Sequence, residues 1–376
     1  MECNAMFDKK LGFGCLRLPH NDPDDISDVD VAEMSRMVDL FLEKGFCYFD
    51  TAYSYLNYKS ELFVKEALVE RHPRDAFLLT TKLPCLELKP GDDPQAFFNE
   101  QLQKCGVDYF DFYLLHSLDA HYVKIAEQLG CFEMLQRLKK EGKARFTGFS
   151  FHDTAAVLDD ILTRHPEVDV VQIQLNYLDW DHPVIQSQAC YEVCCKHNKP
   201  VIVMEPVKGG TLAKLPAEAE ALLRAHAPDS SPASWAVRFA ASQPGVAMVL
   251  SGMSTVQQVE DNTSYMQAFE PLSEKELAIL RQVREIVKAA VAVPCTACAY
   301  CVDGCPMQIP IPRYFSLFNE HKRDKWQANA IDRYAKMAKT HTKASACIGC
   351  RQCEEKCPQH IEIVKWLGQV AEALEK

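Results

Sequence analysis

One short apolar run of the chain ends in the sequence Phe49-Asp50-Thr51-Ala52-Tyr53-Ser54-Tyr55. It sets a carboxylate and a phenol five residues apart, directly after a segment with the length and composition of a buried strand. Two later apolar runs end similarly, one in Thr80-Thr81-Lys82 and the other in Leu114-Leu115-His116. The carboxyl ends of adjacent parallel strands meet at one edge of a sheet, so we expect the carboxylate, phenol, ammonium and imidazole to converge there.

Eight short apolar runs of this kind predict strands, and each is followed by a turn and a stretch with helical periodicity. The predicted strands span residues 11–18, 46–50, 77–82, 110–116, 145–150, 168–176, 201–205 and 246–251. The predicted helices span residues 31–44, 59–70, 93–105, 123–140, 154–164, 183–197, 232–242, 255–263 and 273–288. Strands that alternate with such helices form a parallel sheet, and eight units predict an α/β fold, the closed (β/α)8 TIM barrel.

An open, doubly wound sheet is the alternative architecture. Such sheets usually carry a Gly-rich turn directly after their first strand. Here Gly12-Phe13-Gly14 lies inside the first predicted strand, and no third glycine stands at the required position. The barrel is therefore the favoured prediction.

The composition bounds the class of protein. The chain has 376 residues, of which 48% are hydrophobic and 25% charged, enough for one large and one small domain. Residues 1–290 carry 29 Lys and Arg against 43 Asp and Glu, so this part of the chain is acidic. Residues 291–376 carry 12 Lys and Arg against 9 Asp and Glu and are mildly basic. An acidic body argues against nucleic acid as a partner. No apolar run reaches the ~20 residues of a membrane span and no export signal is visible, so we predict a cytoplasmic protein without membrane contact.

Eight of the 17 cysteines lie in two copies of one motif near the C-terminal end. The copies are Cys295-x2-Cys298-x2-Cys301-x3-Cys305-Pro306 and Cys347-x2-Cys350-x2-Cys353-x3-Cys357-Pro358. This spacing is typical of bacterial ferredoxins, in which the fourth cysteine of each run binds the other cluster. The predicted ligands of one [4Fe–4S] cluster are Cys295, Cys298, Cys301 and Cys357, and those of the second are Cys347, Cys350, Cys353 and Cys305. Structural zinc is the alternative, but it favours paired Cys-x2-Cys knuckles.

These motifs predict a second domain. We place the boundary so that residues 1–290 form the barrel and residues 291–376 a smaller, mainly helical domain with two clusters. Among the 41 residues between the motifs, residues 312–338 are predicted to form helices, with aromatic side chains for packing. Those aromatic residues are Tyr314, Phe315, Phe318, Trp326 and Tyr334.

The four converging groups suggest proton transfer to a carbonyl oxygen. A phenol with a pKa of ~10 is a poor acid at neutral pH, and a neighbouring ammonium favours the phenolate and lowers that pKa. Lys82 can supply the positive charge to Tyr55, Asp50 can hold Lys82, and His116 can orient the carbonyl. Such a site protonates the oxygen of a small carbonyl substrate, or deprotonates an alcohol, while hydride moves to or from another group.

With these residues the chain resembles the aldo/keto reductase family over residues 5–290. The resemblance rests on Asp50 and Tyr55, Lys82 after Leu-Leu-Thr-Thr, His116 in Tyr-Leu-Leu-His, Gly142–Ser150, Val170-Val171-Gln172 and Glu260-Asp261-Asn262. It implies a barrel that binds NAD(P)H over its mouth, with Tyr55 as the acid and Lys82, Asp50 and His116 in support. It also implies that Ser150 and Gln172 hold the nicotinamide carboxamide and that Asn262 contacts the adenine.

The chain departs from that family in three places. Phe151 stands where many members have asparagine, and Met204 stands where they often stack a tyrosine on the nicotinamide. The region after the eighth predicted strand lacks the basic residues that bind the 2′-phosphate of NADP. The preference between NAD and NADP therefore stays open. Lys208-Gly209-Gly210, after the seventh strand, could receive a phosphate through backbone N–H groups.

The combined motifs predict an oxidoreductase whose clusters exchange electrons with its active site or with a ferredoxin- or flavodoxin-type partner. Clusters pass single electrons and nicotinamide passes hydride, so a bound flavin or the substrate would have to join the two processes. One alternative is an electron-transfer or scaffold protein with a vestigial barrel pocket. Another is that the clusters serve only as a structural clamp.

Overall fold

The computed structural model describes residues 9–22, 25–323 and 327–375, and within them eight parallel strands close into a barrel. The strands are β1 (Leu11–Gly14), β2 (Tyr48–Asp50), β3 (Leu78–Leu83), β4 (Phe110–Leu118), β5 (Ala144–Phe151), β6 (Val170–Gln174), β7 (Val201–Met204) and β8 (Val246–Gly252). Each strand pairs with the next along the chain, and β8 pairs with β1. The prediction of a (β/α)8 barrel is confirmed.

The barrel interior has an apolar layer and, above it, a polar one. The apolar layer consists of Tyr48, Phe112, Leu114, Phe146, Val170, Ile202, Met248 and Leu250. Alternate residues of a strand point to the same side of the sheet. Two positions after Tyr48, Leu114 and Val170 come Asp50, His116 and Gln172, which therefore also point inward. The polar layer lies toward the carboxyl ends of the strands, because each of these three residues follows a residue of the apolar layer by two positions along its strand.

Helices surround the strands. In the barrel region they span Val31–Glu43, Ser60–Val64, Pro94–Cys105, Tyr122–Gln128, Cys131–Lys140, Ala155–Arg164, Ser187–Lys196, Pro232–Ala241 and Val256–Met266, with a π-helical segment at Lys65–Val69 and a 3-10 turn at Arg74–Ala76. The prediction of a single helix over residues 123–140 is wrong. Gly130 has a φ of 66°, a left-handed conformation that ends one helix and starts the next.

The chain divides into two compact units. The first consists of Met1–Pro206 and Ala233–Ser273, and the second of Val207–Pro232 and Glu274–Lys376. Helices of the second unit span Ala217–His226, Glu274–Ala290, Tyr300–Asp303, Ile311–Arg323, Gln327–Met337, Gln352–Glu355 and Ile363–Leu374, with 3-10 turns at Lys208–Gly210 and Ala344–Ala346. The domain boundary between residues 290 and 291 stays a prediction.

Aromatic side chains form much of the core of the second unit. Tyr314, Phe315, Phe318 and Tyr334 are buried there together with aliphatic residues of the last helix. The ring centroids of Tyr314 and Tyr334 are 4.5 Å apart. These four residues pack as expected, and Trp326 lies outside the described residues. None of the helices in the described ranges combines the length and the apolar character needed to cross a membrane.

Candidate functional site

The barrel brings the four predicted catalytic side chains together. Asp50 is the last residue of β2, Lys82 and His116 lie near the ends of β3 and β4, and Tyr55 opens the turn that follows β2. In that turn, Tyr55–Tyr58, the backbone of Leu56 has a left-handed φ of 53°. The tight reversal keeps Tyr55 close to the strand ends, and its side chain is buried.

Lys82 and Asp50 form a buried ion pair. The Nζ of Lys82 lies 2.6 Å from Oδ1 of Asp50 and donates a second hydrogen bond, 2.8 Å long, to the carbonyl of Thr51. The two side chains are only 1% and 3% exposed. Burial raises the pKa of Asp50, and the Lys82 ammonium opposes that rise. The carboxylate therefore fixes the position of a charged ammonium in a site with little water.

Tyr55 lies against both other groups. The Nζ of Lys82 is 5.0 Å from the centroid of the Tyr55 ring. The rings of Tyr55 and His116 meet edge to face, with their centroids 5.7 Å apart. A phenol beside an ammonium and an imidazole is the arrangement that the sequence predicted for a proton donor.

His116 is the neutral member of the group. Burial lowers its pKa well below the usual value, and the positive charges of Lys82 and His152 act in the same direction. A neutral imidazole has one N–H donor and one acceptor nitrogen. Near neutral pH, His116 can therefore donate a hydrogen bond to a substrate oxygen without carrying a charge.

A buried hydrogen-bond network behind β3 supports Lys82. The amide of Gln101 donates to the backbone carbonyl of Lys82 at 3.0 Å and to Oε1 of Glu61 at 2.7 Å. Tyr113 donates to Oε1 of Gln101, and Thr81 donates to Glu61, both at 2.7 Å. Sequence reasoning missed this network. Its only signal was a pair of polar residues on helix faces that turn toward the strands.

Ser150 and Gln172, the predicted carboxamide ligands, are neighbours. They lie opposite each other in the register of β5 and β6, and both are buried. Ser150 Oγ accepts a 2.7 Å hydrogen bond from the backbone N–H of Ser117, whose φ is 58°. The Gln172 side chain lies beside Asp50, and its hydrogen bond to that carboxyl opposes the rise in the pKa of Asp50 that burial causes. The two residues can thus present adjacent polar groups in the polar layer.

The other two predicted cofactor residues lie farther along the barrel rim. Met204 ends β7 and is partly buried. Asn262 is buried, donates from Nδ2 to Ser251 Oγ at 2.9 Å, and accepts a hydrogen bond from Tyr265 at Oδ1. The amide of Asn262 thus connects β8 to the helix Val256–Met266, and its contact with an adenine stays a prediction.

The structure also places a cation near the end of β8. Arg17, from the loop after β1, packs over Gly252, where a Cβ would lie 3.1 Å from Arg17 Cδ. Its backbone carbonyl accepts from Ser254 Oγ at 2.8 Å, and its guanidinium lies 3.6 Å from the carboxylate of Glu205. Sequence reasoning considered only the segment after β8 and therefore missed this charge.

In the second unit, the cysteines gather in two groups drawn from both motifs. Cys305 lines one pocket together with Cys347, Cys350 and Cys353. Burial raises the pKa of Cys301, and the nearby thiols of Cys298, Cys295 and Cys357 raise it further, with Cys353 of the other group last among the causes. Each group combines three cysteines of one motif with the fourth of the other, as predicted for two clusters.

The backbone around these cysteines suits cluster ligation. The N–H of Ala297 lies 3.4 Å from Cys295 Sγ. Burial raises the pKa of Cys357, while backbone N–H groups of residues 359–361 face its sulfur and lower that pKa. Ala299 and Arg351 have left-handed φ values of 68° and 62°, which curl each segment around its thiols. Thiols that receive backbone N–H groups, as Cys295 and Cys357 do, fit the ligation of a [4Fe–4S] cluster.

Comparisons with known proteins agree with both units. A family model described as the aldo/keto reductase family matches residues 10–285, and one described as a 4Fe-4S dicluster domain matches residues 294–362. An aldo-keto reductase of Mycolicibacterium vanbaalenii is 28% identical over 242 residues, which are 63% of this chain and 79% of that relative. The NADPH-dependent alpha-keto amide reductase of Saccharomyces cerevisiae is 32% identical over 180 residues, 46% of this chain and 53% of the yeast enzyme.

An aldo-keto reductase of Mycolicibacterium smegmatis is 28% identical over 205 residues, 54% of this chain and 66% of its own length. Among solved structures, an aldo-keto reductase from Klebsiella pneumoniae in complex with NADPH has a TM-score of 0.59 and 20% identity, covering 73% of this chain and 90% of that one. The holo form of an aldo-keto reductase from Bacillus halodurans has a TM-score of 0.58 and 24% identity, and the match covers 73% of this chain and 91% of that one. These structural likenesses confirm the fold.

Proposed function

Because the chain belongs to the aldo/keto reductase family and is an oxidoreductase, we propose that its barrel interconverts a small carbonyl compound and the corresponding alcohol with a nicotinamide cofactor. The observation that carries this proposal is the buried Lys82–Asp50 pair against the ring of Tyr55. Without that pair, a phenol at this position would have no charge to stabilise its conjugate base.

Each of the four side chains has a role in the proposed reaction. A bound nicotinamide supplies the hydride, and Ser150 and Gln172 are the residues proposed to hold its carboxamide. As negative charge develops on the carbonyl oxygen, Tyr55 donates its proton and becomes a phenolate. The Lys82 ammonium stabilises that phenolate, and Asp50 holds the ammonium in place through a direct ion pair. Neutral His116 donates a hydrogen bond to the same oxygen.

NADPH is the first cofactor to test. The yeast relative is named as NADPH-dependent, and the Klebsiella structure contains NADPH. Arg17 adds a guanidinium near the end of β8, where the sequence had left the 2′-phosphate without a basic partner. A guanidinium is well suited to phosphate because its N–H donors form a planar fork.

We further propose that the second unit holds two [4Fe–4S] clusters that exchange single electrons with a redox protein. The 4Fe-4S dicluster match and the two cysteine groups support this assignment. A bound flavin, or the substrate itself, would join one-electron and two-electron steps. A scaffold role with an inactive barrel predicts that changes in the four catalytic side chains leave every activity unchanged.

The test combines composition with turnover. The protein is purified without oxygen, its iron, sulfide, nucleotide and flavin contents are measured, and NADPH and NADH oxidation is followed with a panel of aldehydes and ketones. We expect the Tyr55→Phe variant to lower kcat by about 10²–10⁴-fold. Tyr53→Phe is the matched control, because the hydroxyl of Tyr53 bonds to Glu100 outside the catalytic group. Equal activity of the two variants would refute the catalytic role.

A further inference from the structure

The two cluster-binding segments differ in their exposure to solvent. In the first motif, Thr296 and Cys301 are buried and the neighbouring cysteines are partly buried. In the second motif, residues 348–352 are all exposed, and this exposed run includes Cys350. The pocket lined by Cys305, Cys347, Cys350 and Cys353 therefore has one wall that faces solvent.

An apolar side chain stands on that wall. Ile348 lies between Cys347 and Cys350, lines the same pocket, and is 63% exposed. Isolated apolar residues on a surface are common and carry no information alone. Here the residue is fixed directly beside the ligands of a proposed electron carrier. Burying it against another protein would recover hydrophobic free energy and exclude water from the path between the two redox centres.

Arg351 is the one charged residue among the described residues that line this pocket. Its side chain is 74% exposed, and its guanidinium lies 3.9 Å from the carboxylate of Glu354, longer than a hydrogen bond. The carboxylate of Glu362 also interacts with Arg351 from outside the pocket lining. A positive charge in the pocket lining, beside the exposed Cys350, attracts negatively charged surfaces and steers their approach.

We propose that Ile348, Cys350 and Arg351 form a docking surface for a small, acidic, one-electron carrier protein, which exchanges electrons with the cluster held by Cys305, Cys347, Cys350 and Cys353. This inference rests on the proposed presence of that cluster. In each encounter one electron passes from the reduced carrier to the oxidised cluster, or back, and no bond or proton is transferred. A small, weak interface is typical of electron-transfer encounters.

The test separates docking from damage to the cluster. Holoprotein is prepared without oxygen, and the rate of cluster reduction is measured by stopped-flow absorbance with two reductants. One is a reduced acidic flavodoxin and the other is reduced methyl viologen, a small molecule that needs no docking surface. We expect Arg351→Glu to slow reduction by flavodoxin at least tenfold and to weaken its dependence on salt. Reduction by methyl viologen is expected to stay within twofold of the parent rate.

Two further variants complete the experiment. Ile348→Ser leaves the charges unchanged. It is expected to slow cluster reduction by flavodoxin and not by methyl viologen. Lys336→Glu makes the same change in charge as Arg351→Glu, on an exposed helical site outside the pocket lining, and is expected to have little effect. Three outcomes would each overturn the proposal. In the first, flavodoxin reduces the cluster of Arg351→Glu as fast as that of the parent. In the others, Lys336→Glu slows this reduction as much as Arg351→Glu does, or Arg351→Glu slows reduction by methyl viologen as well. Carbonyl turnover with NADPH is measured separately, so failure of the barrel chemistry is distinguishable from failure of docking.

Discussion

Replacing Lys82 by methionine tests the buried ion pair directly. In the native protein the Lys82 ammonium lies 2.6 Å from Asp50, and both side chains are almost completely buried. The variant leaves a buried carboxylate without its cation. Breaking a buried pair in this way costs about 3–5 kcal/mol, because the remaining charge has lost both water and its partner.

The cost is expected to depend on pH. Burial already raises the pKa of Asp50, and loss of Lys82 removes the charge that opposed the rise. In the variant the folded-state pKa of Asp50 therefore lies above the unfolded value of ~3.9, because the Lys82 charge no longer opposes the effect of burial. The folded carboxyl then binds its proton more tightly than the unfolded one, so stability is present below the unfolded pKa and is lost as pH rises through the raised folded-state pKa. We expect the destabilisation to be smaller at pH 5 than at pH 8.

The assay is urea unfolding at pH 5 and pH 8, followed by far-ultraviolet circular dichroism. The double variant Lys82→Met/Asp50→Asn is the essential comparison, because it removes both charges at once. It should recover most of the lost free energy of unfolding and abolish the added pH dependence. If the double variant were no more stable than Lys82→Met at pH 8, the loss would come from packing, and the electrostatic explanation would be refuted.

Two other predictions concern a glycine and a histidine. A Cβ on Gly209 would lie 2.2 Å from the carbonyl oxygen of Thr296, next to Cys295, so we expect Gly209→Ala to lower the iron and sulfide content per chain. Gly210 also has a positive φ, but a Cβ there would have no atom within 4 Å, so Gly210→Ala should retain both iron and sulfide. Equal iron contents in the two variants would contradict a role of the Gly209–Thr296 contact in cluster binding. Since burial lowers the pKa of His116, the unfolded chain binds its proton first, and stability should fall as pH drops below ~6.5. His116→Gln should lose that part of the slope in urea unfolding, and an unchanged slope would mean that other groups cause it.

The positions of the strands, and the convergence of Asp50, Tyr55, Lys82 and His116 at their ends, could be predicted because both follow from local patterns. An apolar run followed by a polar residue marks the carboxyl end of a barrel strand, where the backbone leaves the core. Asp50, Lys82 and His116 could be recognised because their strands are consecutive. Parallel pairing in chain order then brings them together without any long-range information.

Other features depend on contacts that no local pattern encodes. Gln101 donates to the carbonyl of Lys82 across 19 positions of the chain, and a polar residue on the inner face of a helix does not by itself identify that partner. Arg17 reaches Gly252 because closure brings β1 next to β8. Similarly, Gly130 could be identified as a helix break only from its backbone conformation, since isolated glycines also occur inside helices.

The two proposed reactions need opposite environments, and the two units provide them. Proton transfer to a developing alkoxide is helped by a dry site, in which an ammonium and a carboxylate act at full strength. Lys82 and Asp50 are buried accordingly, and the cost of burying their charges is offset by a direct ion pair and by the network behind β3.

Electron exchange with a protein needs close approach, so a ligand segment must reach the surface. Ile348, Cys350 and Arg351 meet that requirement because residues 348–352 of the second motif are all exposed, whereas most of the corresponding residues of the first motif are buried or partly buried.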